Sequence, residues 1–184
     1  MDSVRADQPY SLLSRGFHWV TALLVLVAFL VSVGGPESRI YSQQNSFSLG
    51  LHELLGLTVF ILTALRLVAR IFDPPPPAVE MPGWMHSLSR LVHWVLFTLL
   101  IITPLSAIWA VWAEGHALTP LGLGTLSPMI AKAADFGSTL ADIHGLLGDA
   151  IMWVAGLHGA AALYHHFWLR DAVLTAMVPW LRPK

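Results

Sequence analysis

The sequence predicts an all-α protein, a four-helix bundle integral to a membrane, on two observations. The 184 residues are 55% hydrophobic and only 11% charged, with a mean hydropathy of +0.65, which is too little polar surface to cover a water-soluble domain of this size. The apolar residues are also gathered into four runs: the uncharged stretch Gly16 to Pro36, then Ser46 to Leu65, the uncharged Leu91 to Ala113, and Ala150 to Leu169. Each is near the roughly 20 residues that a helix needs to cross the hydrocarbon layer. No connection is long enough for a second domain, so residues 1–184 are expected to form one transmembrane domain with helices at about 12–33, 46–70, 86–112 and 140–168.

The first helix has Ser11 or Ser14 to cap its unpaired N–H groups and Gly34-Gly35-Pro36 to stop it. Loss of this segment as a signal peptide is not expected, because it lacks a small-residue cleavage site. The second opens near Ser46 or Ser48 and closes before Asp73, after which Pro74 to Pro77 impose a stiff, extended connector. The third carries Pro104, placed to kink it. The connection 114–138, with four Gly and two Pro, is the longest irregular stretch before the fourth helix. Trp84, Trp94, Trp109, Trp112 and Trp168 fall near helix ends, as an interfacial belt requires.

Orientation follows from the ten Lys and Arg residues. Arg5, Arg15, Arg66, Arg70, Arg90, Arg170, Arg182 and Lys184 fall on one side of the membrane, and only Arg39 and Lys132 on the other. By the positive-inside rule both termini are cytoplasmic. A net charge of −1 without a basic patch gives no reason to expect nucleic acid. Zero cysteines exclude disulfides, iron-sulfur clusters and covalently attached haem.

Histidines carry the chemistry. His144 and His158 are fourteen positions apart in the fourth helix, a separation of roughly 21 Å on nearly the same face, about 40° from vertical alignment. His18 begins the first helix at the inner depth and His52 begins the second at the outer depth. The depths therefore pair His52 with His144 and His18 with His158. Ionisable groups in a bilayer are costly and mark function, and zinc would gather its ligands at one depth instead of two. Two layers of paired imidazoles point to two non-covalent haems b. Gly56, Gly145, Gly148 and Gly159 beside these histidines permit the close backbone approach that a flat macrocycle needs. At the inner depth His93 is a substitute ligand or a proton-handling group near a quinone, and Arg66 and Arg70 are candidates to bind haem propionates by charge-assisted hydrogen bonds. A plain reading of the two arginines is a snorkelling pair that fixes topology. Glu53 and Asp149 are acids of the outer half, suited to polarise a ligand histidine or carry protons, or simply interfacial.

The segments SRGFHWVTALLV (14–25), LHELLGLTVFILTALRLVARIFDPPPP (51–77), WMHSLSRLVHW (84–94) and LHGAAALYHHFWLRD (157–171) resemble the prokaryotic cytochrome b561 family over nearly the whole chain. That resemblance implies a dihaem membrane cytochrome whose axial histidines fall on His18, His52, His144 and His158. The 114–138 connection is the least family-like part. With both axial positions closed, such an iron has no open site for oxygen and exchanges single electrons. The implied function is single-electron transfer across the membrane between a periplasmic donor and ubiquinone or another membrane quinone, with superoxide oxidation one activity of the family. The outer side carries Glu37, Glu114, Asp135 and Asp142 against Arg39 and Lys132, a balance that does not draw an anion inward. The alternative is an electron-transfer subunit that docks with a dehydrogenase or hydrogenase; the sequence names no such partner beyond membrane lipid.

Overall fold

The computed structural model describes residues 8–32 and 46–181. Four helices, each long and apolar enough to cross a membrane, make up most of it: α1 (Leu12–Leu30), α2 (Ser46–Phe72), α3 (Gly83–Ala113) and α4 (Ala134–Tyr164). One π-helical turn, His165–Leu169, continues α4, and a short helix α5 (Val173–Met177) and a 3₁₀ turn (Pro179–Leu181) follow. Among the described residues β pairing is limited to an isolated bridge between Leu118 and Leu126.

The surface is that of a protein whose solvent is lipid. Leu23, Leu26, Leu65, Val68, Leu157 and Leu163 are exposed, whereas the buried positions include the smaller Ala110, Ala113, Val59 and Thr63. Lipid tails are as apolar as leucine, so helices in a membrane gain little by burying leucine and meet instead through small side chains. Gly137 shows how close the approach is: a Cβ there would lie 2.9 Å from both the Ala110 carbonyl oxygen and the Glu114 nitrogen, so α4 rests directly on the backbone of α3. On α2 two hydroxyls inside the apolar segment are satisfied within their own helix, Thr63 donating to the Val59 carbonyl and Thr58 to that of Leu54, both at 2.7 Å, whereas those of Thr21 on α1 and Thr103 on α3 are buried without a partner among the described residues.

Helix packing joins α1 to α2, α3 to α4, and α2 to α3. Among the described residues α1 and α4 do not pack closely along their backbones. The boundaries differ from the sequence reading at several ends. The α4 helix starts at Ala134, not near residue 140, with Asp135 in its first turn, where a carboxylate opposes the positive end of the helix dipole. The connection before it shrinks to 114–133. The α3 helix begins at Gly83, immediately after Pro82, and runs unbroken through Pro104. The α1 helix closes at Leu30 with Val31 as its C-cap, and Gly34-Gly35-Pro36 lie outside the described residues.

The two ends of the bundle are finished differently. At the end where α1 begins and α4 finishes, Ser11 caps α1 by accepting from the Ser14 nitrogen at 3.0 Å. The Asp73 carboxylate, just past α2, accepts from the hydroxyls of both Ser11 and Ser14, the latter at 2.8 Å. One side chain thus ties the start of α1 to the end of α2. The segment after α4 folds back over this end. Arg170 takes a left-handed conformation (φ 54°), and Asp171 bridges the His165 Nδ1 (2.5 Å) and the Val173 nitrogen (3.0 Å). The Tyr10 nitrogen then donates to the Ala176 carbonyl at 3.0 Å.

The two donated hydroxyls hold the Asp73 carboxyl below the usual carboxylate range. A carboxyl depressed in this way stabilises the fold fully above its unfolded pKa of about 3.9, and the contribution is lost as pH falls through the lower folded value. Thermal unfolding in detergent should therefore show Asp73→Ala melting below the unaltered protein near neutral pH, with the gap closing as pH drops below about 4. A gap that is constant across that range would assign Asp73 no linked role.

Candidate functional site

At the end of the bundle that carries the 114–133 connection, His52 of α2 faces His144 of α4, with ring centroids 6.0 Å apart and planes at 87°. Each ring is aimed by a backbone carbonyl of the neighbouring helix. The His52 Nδ1–H donates to the Ala28 oxygen of α1 at 2.9 Å, and the His144 Nδ1–H to the Thr103 oxygen of α3 at 2.9 Å. The Ala28 carbonyl lies in the last turn of α1, where helix oxygens run short of partners. The Ser32 nitrogen, the natural donor to it, turns back to Phe29 instead at 3.2 Å. A neutral imidazole that donates through Nδ1 keeps its lone pair on Nε2, the atom that binds metal.

The two rings open into a cavity of about 770 Å³ whose lining includes His52, Glu53, Gly56, His144, Gly145 and Gly148. A Cβ built on Gly56, Gly145 or Gly148 would meet nothing within 4 Å, so these glycines keep space clear without filling a packing role. A flat macrocycle fits such a slot. Two metal–imidazole bonds of about 2 Å plus the half-width of each ring come to roughly 6 Å between ring centres, the separation found here.

At the opposite end all four long helices contribute. His18 of α1 and His158 of α4 stand 6.3 Å apart at 74°, and His93 of α3 approaches His158 to 5.2 Å at 70°. The guanidinium carbons of Arg66 and Arg70 on α2 lie 5.1 and 5.9 Å from the centre of the Phe97 ring, one turn beyond His93. The aromatic face holds both cations beside the three imidazoles. Arg15, a turn before His18, has its Nε buried without a partner. Among the described residues no set of three or more His, Asp or Glu side chains converges in a way that could hold a bare metal ion. The His52–His144 pair, around its open cavity, suits a metal that arrives inside its own planar ligand.

The acids of the outer half have other duties than orienting histidines. Both Nδ1 atoms go to carbonyl oxygens, not to carboxylates. Glu53, for which an interfacial position was one of the sequence readings, is instead buried at 8% exposure, and its Oε2 accepts from the Thr119 nitrogen at 2.6 Å. Asp149 lines the cavity but is exposed. His165 is taken up by Asp171, while His86 and His116 are exposed. The carbonyl partners of His52 and His144 carried no sequence signal, because every residue has a carbonyl.

The sequence profile described as prokaryotic cytochrome b561 matches residues 9–180. The chain belongs to the prokaryotic cytochrome b561 family. Among curated proteins this family member is 32% identical to the probable superoxide oxidase CybB of Yersinia pestis, over 92% of this chain and 96% of that one. It is 26% identical to cytochrome b561 homolog 2 of Escherichia coli K12, over 97% and 95% of the two chains. It is 28% identical to cytochrome b562 of Cereibacter sphaeroides, over 95% and 96%. As a b561-family protein it is a multi-pass bacterial membrane cytochrome of electron transfer, and haem b is the prosthetic group the family implies.

If the three glycines hold the cavity open for haem, filling it will exclude the macrocycle without disturbing helix contacts. Gly56→Leu and Gly148→Leu are expected to lower the haem-to-protein ratio by about half while the helical circular dichroism stays unchanged, since a bulky side chain consumes cavity volume of the kind a ligand occupies. Full haem loading in both variants would show that the slot serves another purpose.

Proposed function

We propose that this chain moves single electrons across the inner membrane between a periplasmic donor and a membrane quinone such as ubiquinone, using two haems b. The observation that carries the reading is the repetition of one geometry at two depths. His52 with His144 and His18 with His158 stand at 6.0 and 6.3 Å, and the α4 members of the two pairs are fourteen residues apart on one unbroken helix. Haem b bound between two imidazoles supplies reversible one-electron exchange with no open coordination position for oxygen.

In this reading the protein supplies ligands, orientation and charge. Ala28 and Thr103 lock the two Nδ1 donors, so Nε2 of His52 and His144 is offered in a fixed direction. His93 stands 5.2 Å from His158, closer than two ligand bonds allow; this supports His18 as the axial partner and leaves His93 as a neighbour that handles protons. Arg66 and Arg70, steadied on Phe97, bind propionates and give the quinone a polar edge. His93 gives a reduced quinone a route for the protons it takes up. The excess of Lys and Arg on the side of these groups makes that side, and both termini, cytoplasmic. Superoxide is the donor that the similarity to the probable superoxide oxidase CybB favours.

A pyridine haemochrome assay is expected to return two haems b per chain, and a value of one or none sinks the proposal. His52→Ala and His144→Ala should lose one and the same redox transition, and His18→Ala and His158→Ala the other. Loss of the second transition in His93→Ala with its retention in His18→Ala would reverse the ligand assignment.

The function itself is read by adding a superoxide source to the purified protein with ubiquinone present. Haem reduction followed by quinone reduction is expected. Haems that stay oxidised under superoxide but are reduced by a dehydrogenase would move the protein to the class of docking subunits.

A further inference from the structure

The longest connection, 113 to 134 between α3 and α4, is built as a strap drawn tight across one end of the bundle. At its far end the Ala133 nitrogen donates to the Ala113 carbonyl at 2.8 Å, closing the loop on itself. In its middle Leu118 and Leu126 exchange both backbone hydrogen bonds, at 3.1 and 2.8 Å, and the Trp112 indole donates to the Leu126 carbonyl at 3.4 Å. Four residues of this strap are pressed onto α2 at two points one turn apart. The Leu121 nitrogen donates to the Gly50 carbonyl at 2.9 Å, and the Thr119 nitrogen to the Glu53 carboxylate at 2.6 Å. The approach at Gly50 leaves no room for a side chain, since a Cβ there would sit 2.9 Å from the Thr119 carbonyl oxygen. Pro120 between the two points is wholly buried, and Leu118, 4% exposed, forms part of the lining of the cavity that holds His52 and His144.

We propose that segment 118–121 is the roof of that cavity, that Glu53 is the positioning residue which holds it closed, and that the roof limits the size of the donor able to reach the His52–His144 pair. The inference rests on the reading of that pair as an electron-accepting haem site. Glu53 is poorly explained otherwise. A buried carboxylate in an apolar helix is costly, its Oε1 is buried without a partner among the described residues, and its neighbour His52 is oriented by Ala28, not by Glu53. Among the described residues its hydrogen bond goes to the roof. Small species pass at the margins of a closed roof, while large ones wait for it to lift. Segments tied by few backbone hydrogen bonds open locally at low cost, so the loss of one tie is enough to change the populations.

The test uses the full chain with haem bound, in lipid nanodiscs, as three variants. Glu53→Leu removes the acceptor, Glu53→Gln retains a carbonyl that accepts from the Thr119 nitrogen, and Gly50→Ala pushes on the same segment from a position outside the cavity lining. Two measurements are made on each: amide hydrogen exchange over residues 114–126, and the rate at which the reduced protein is oxidised by hexaamminecobalt(III) and by the bulkier tris(phenanthroline)cobalt(III), which carries the same charge. Glu53→Leu and Gly50→Ala are expected to exchange roughly ten-fold faster over 114–126, and the bulky oxidant to gain relative to the small one by a similar factor. Glu53→Gln should restore both readings towards the unaltered protein. Unchanged exchange in both Glu53→Leu and Gly50→Ala overturns the role of the clasp, and faster exchange with an unchanged ratio of the two oxidants overturns the role of the roof. A missing haem at the His52–His144 pair of the unaltered protein would instead overturn the functional reading, with the exchange data still deciding whether Glu53 holds segment 118–121.

Discussion

Two N–H groups organise one half of this bundle. An imidazole in hydrocarbon has a donor that must find an acceptor, and water is absent to supply one. His52 and His144 solve this with carbonyls of the helices next to them in the chain, α1 and α3. The consequence reaches past the hydrogen bonds. Once each Nδ1 is committed, each ring has one direction in which to point, and the pair settles face to edge across an open slot. The glycines along the slot then need only stay out of the way. Rings left free to rotate would collapse against the apolar lining and close the space they now frame.

The other half is governed by charge. Arg66 and Arg70 lie against Phe97 beside three histidines, and Asp73 gathers two serine hydroxyls at the rim. Lipid offers no reward for burying leucine here, so the framework depends on close backbone contacts such as Gly137 on α3 and on these few polar ties. Where α1 and α4 stand apart along their backbones, the rings of His18 and His158 meet across the gap.

Much of this was legible in the sequence because a bilayer imposes a length and a polarity that few other constraints match. Four runs of about 20 apolar residues, and histidines placed near the start, middle or end of each, were enough to sort His52 towards His144 and His18 towards His158 before any coordinates. Other features were hidden for identifiable reasons. Glu53 read as an acid that polarises a ligand histidine, carries protons or sits at the interface, and its partner, the Thr119 nitrogen, was hidden because it comes from a loop 66 positions away and belongs to the backbone. The closeness of His93 to His158 depends on how α3 and α4 rotate against each other, which their near-uniform apolar faces do not encode. The fold-back after α4 had no glycine at its turn: Arg170 takes the left-handed conformation there, with Asp171 tying the turn together. The early start of α4 was masked by Gly137, a residue that reads as a helix breaker and serves as a contact surface.

The chain order of the paired rings has a consequence for biogenesis. His18 and His52 belong to the first two helices, while both of their counterparts lie on α4. A nascent chain emerging from the ribosome therefore carries two unpaired rings through the synthesis of α3 and the whole strap, and neither meets its counterpart until α4 has been translated and inserted. The two pairs are then completed within fourteen residues of each other. A stop codon or frameshift anywhere before α4 would abolish both together, whereas a lesion confined to His18 or His52 would spare the other.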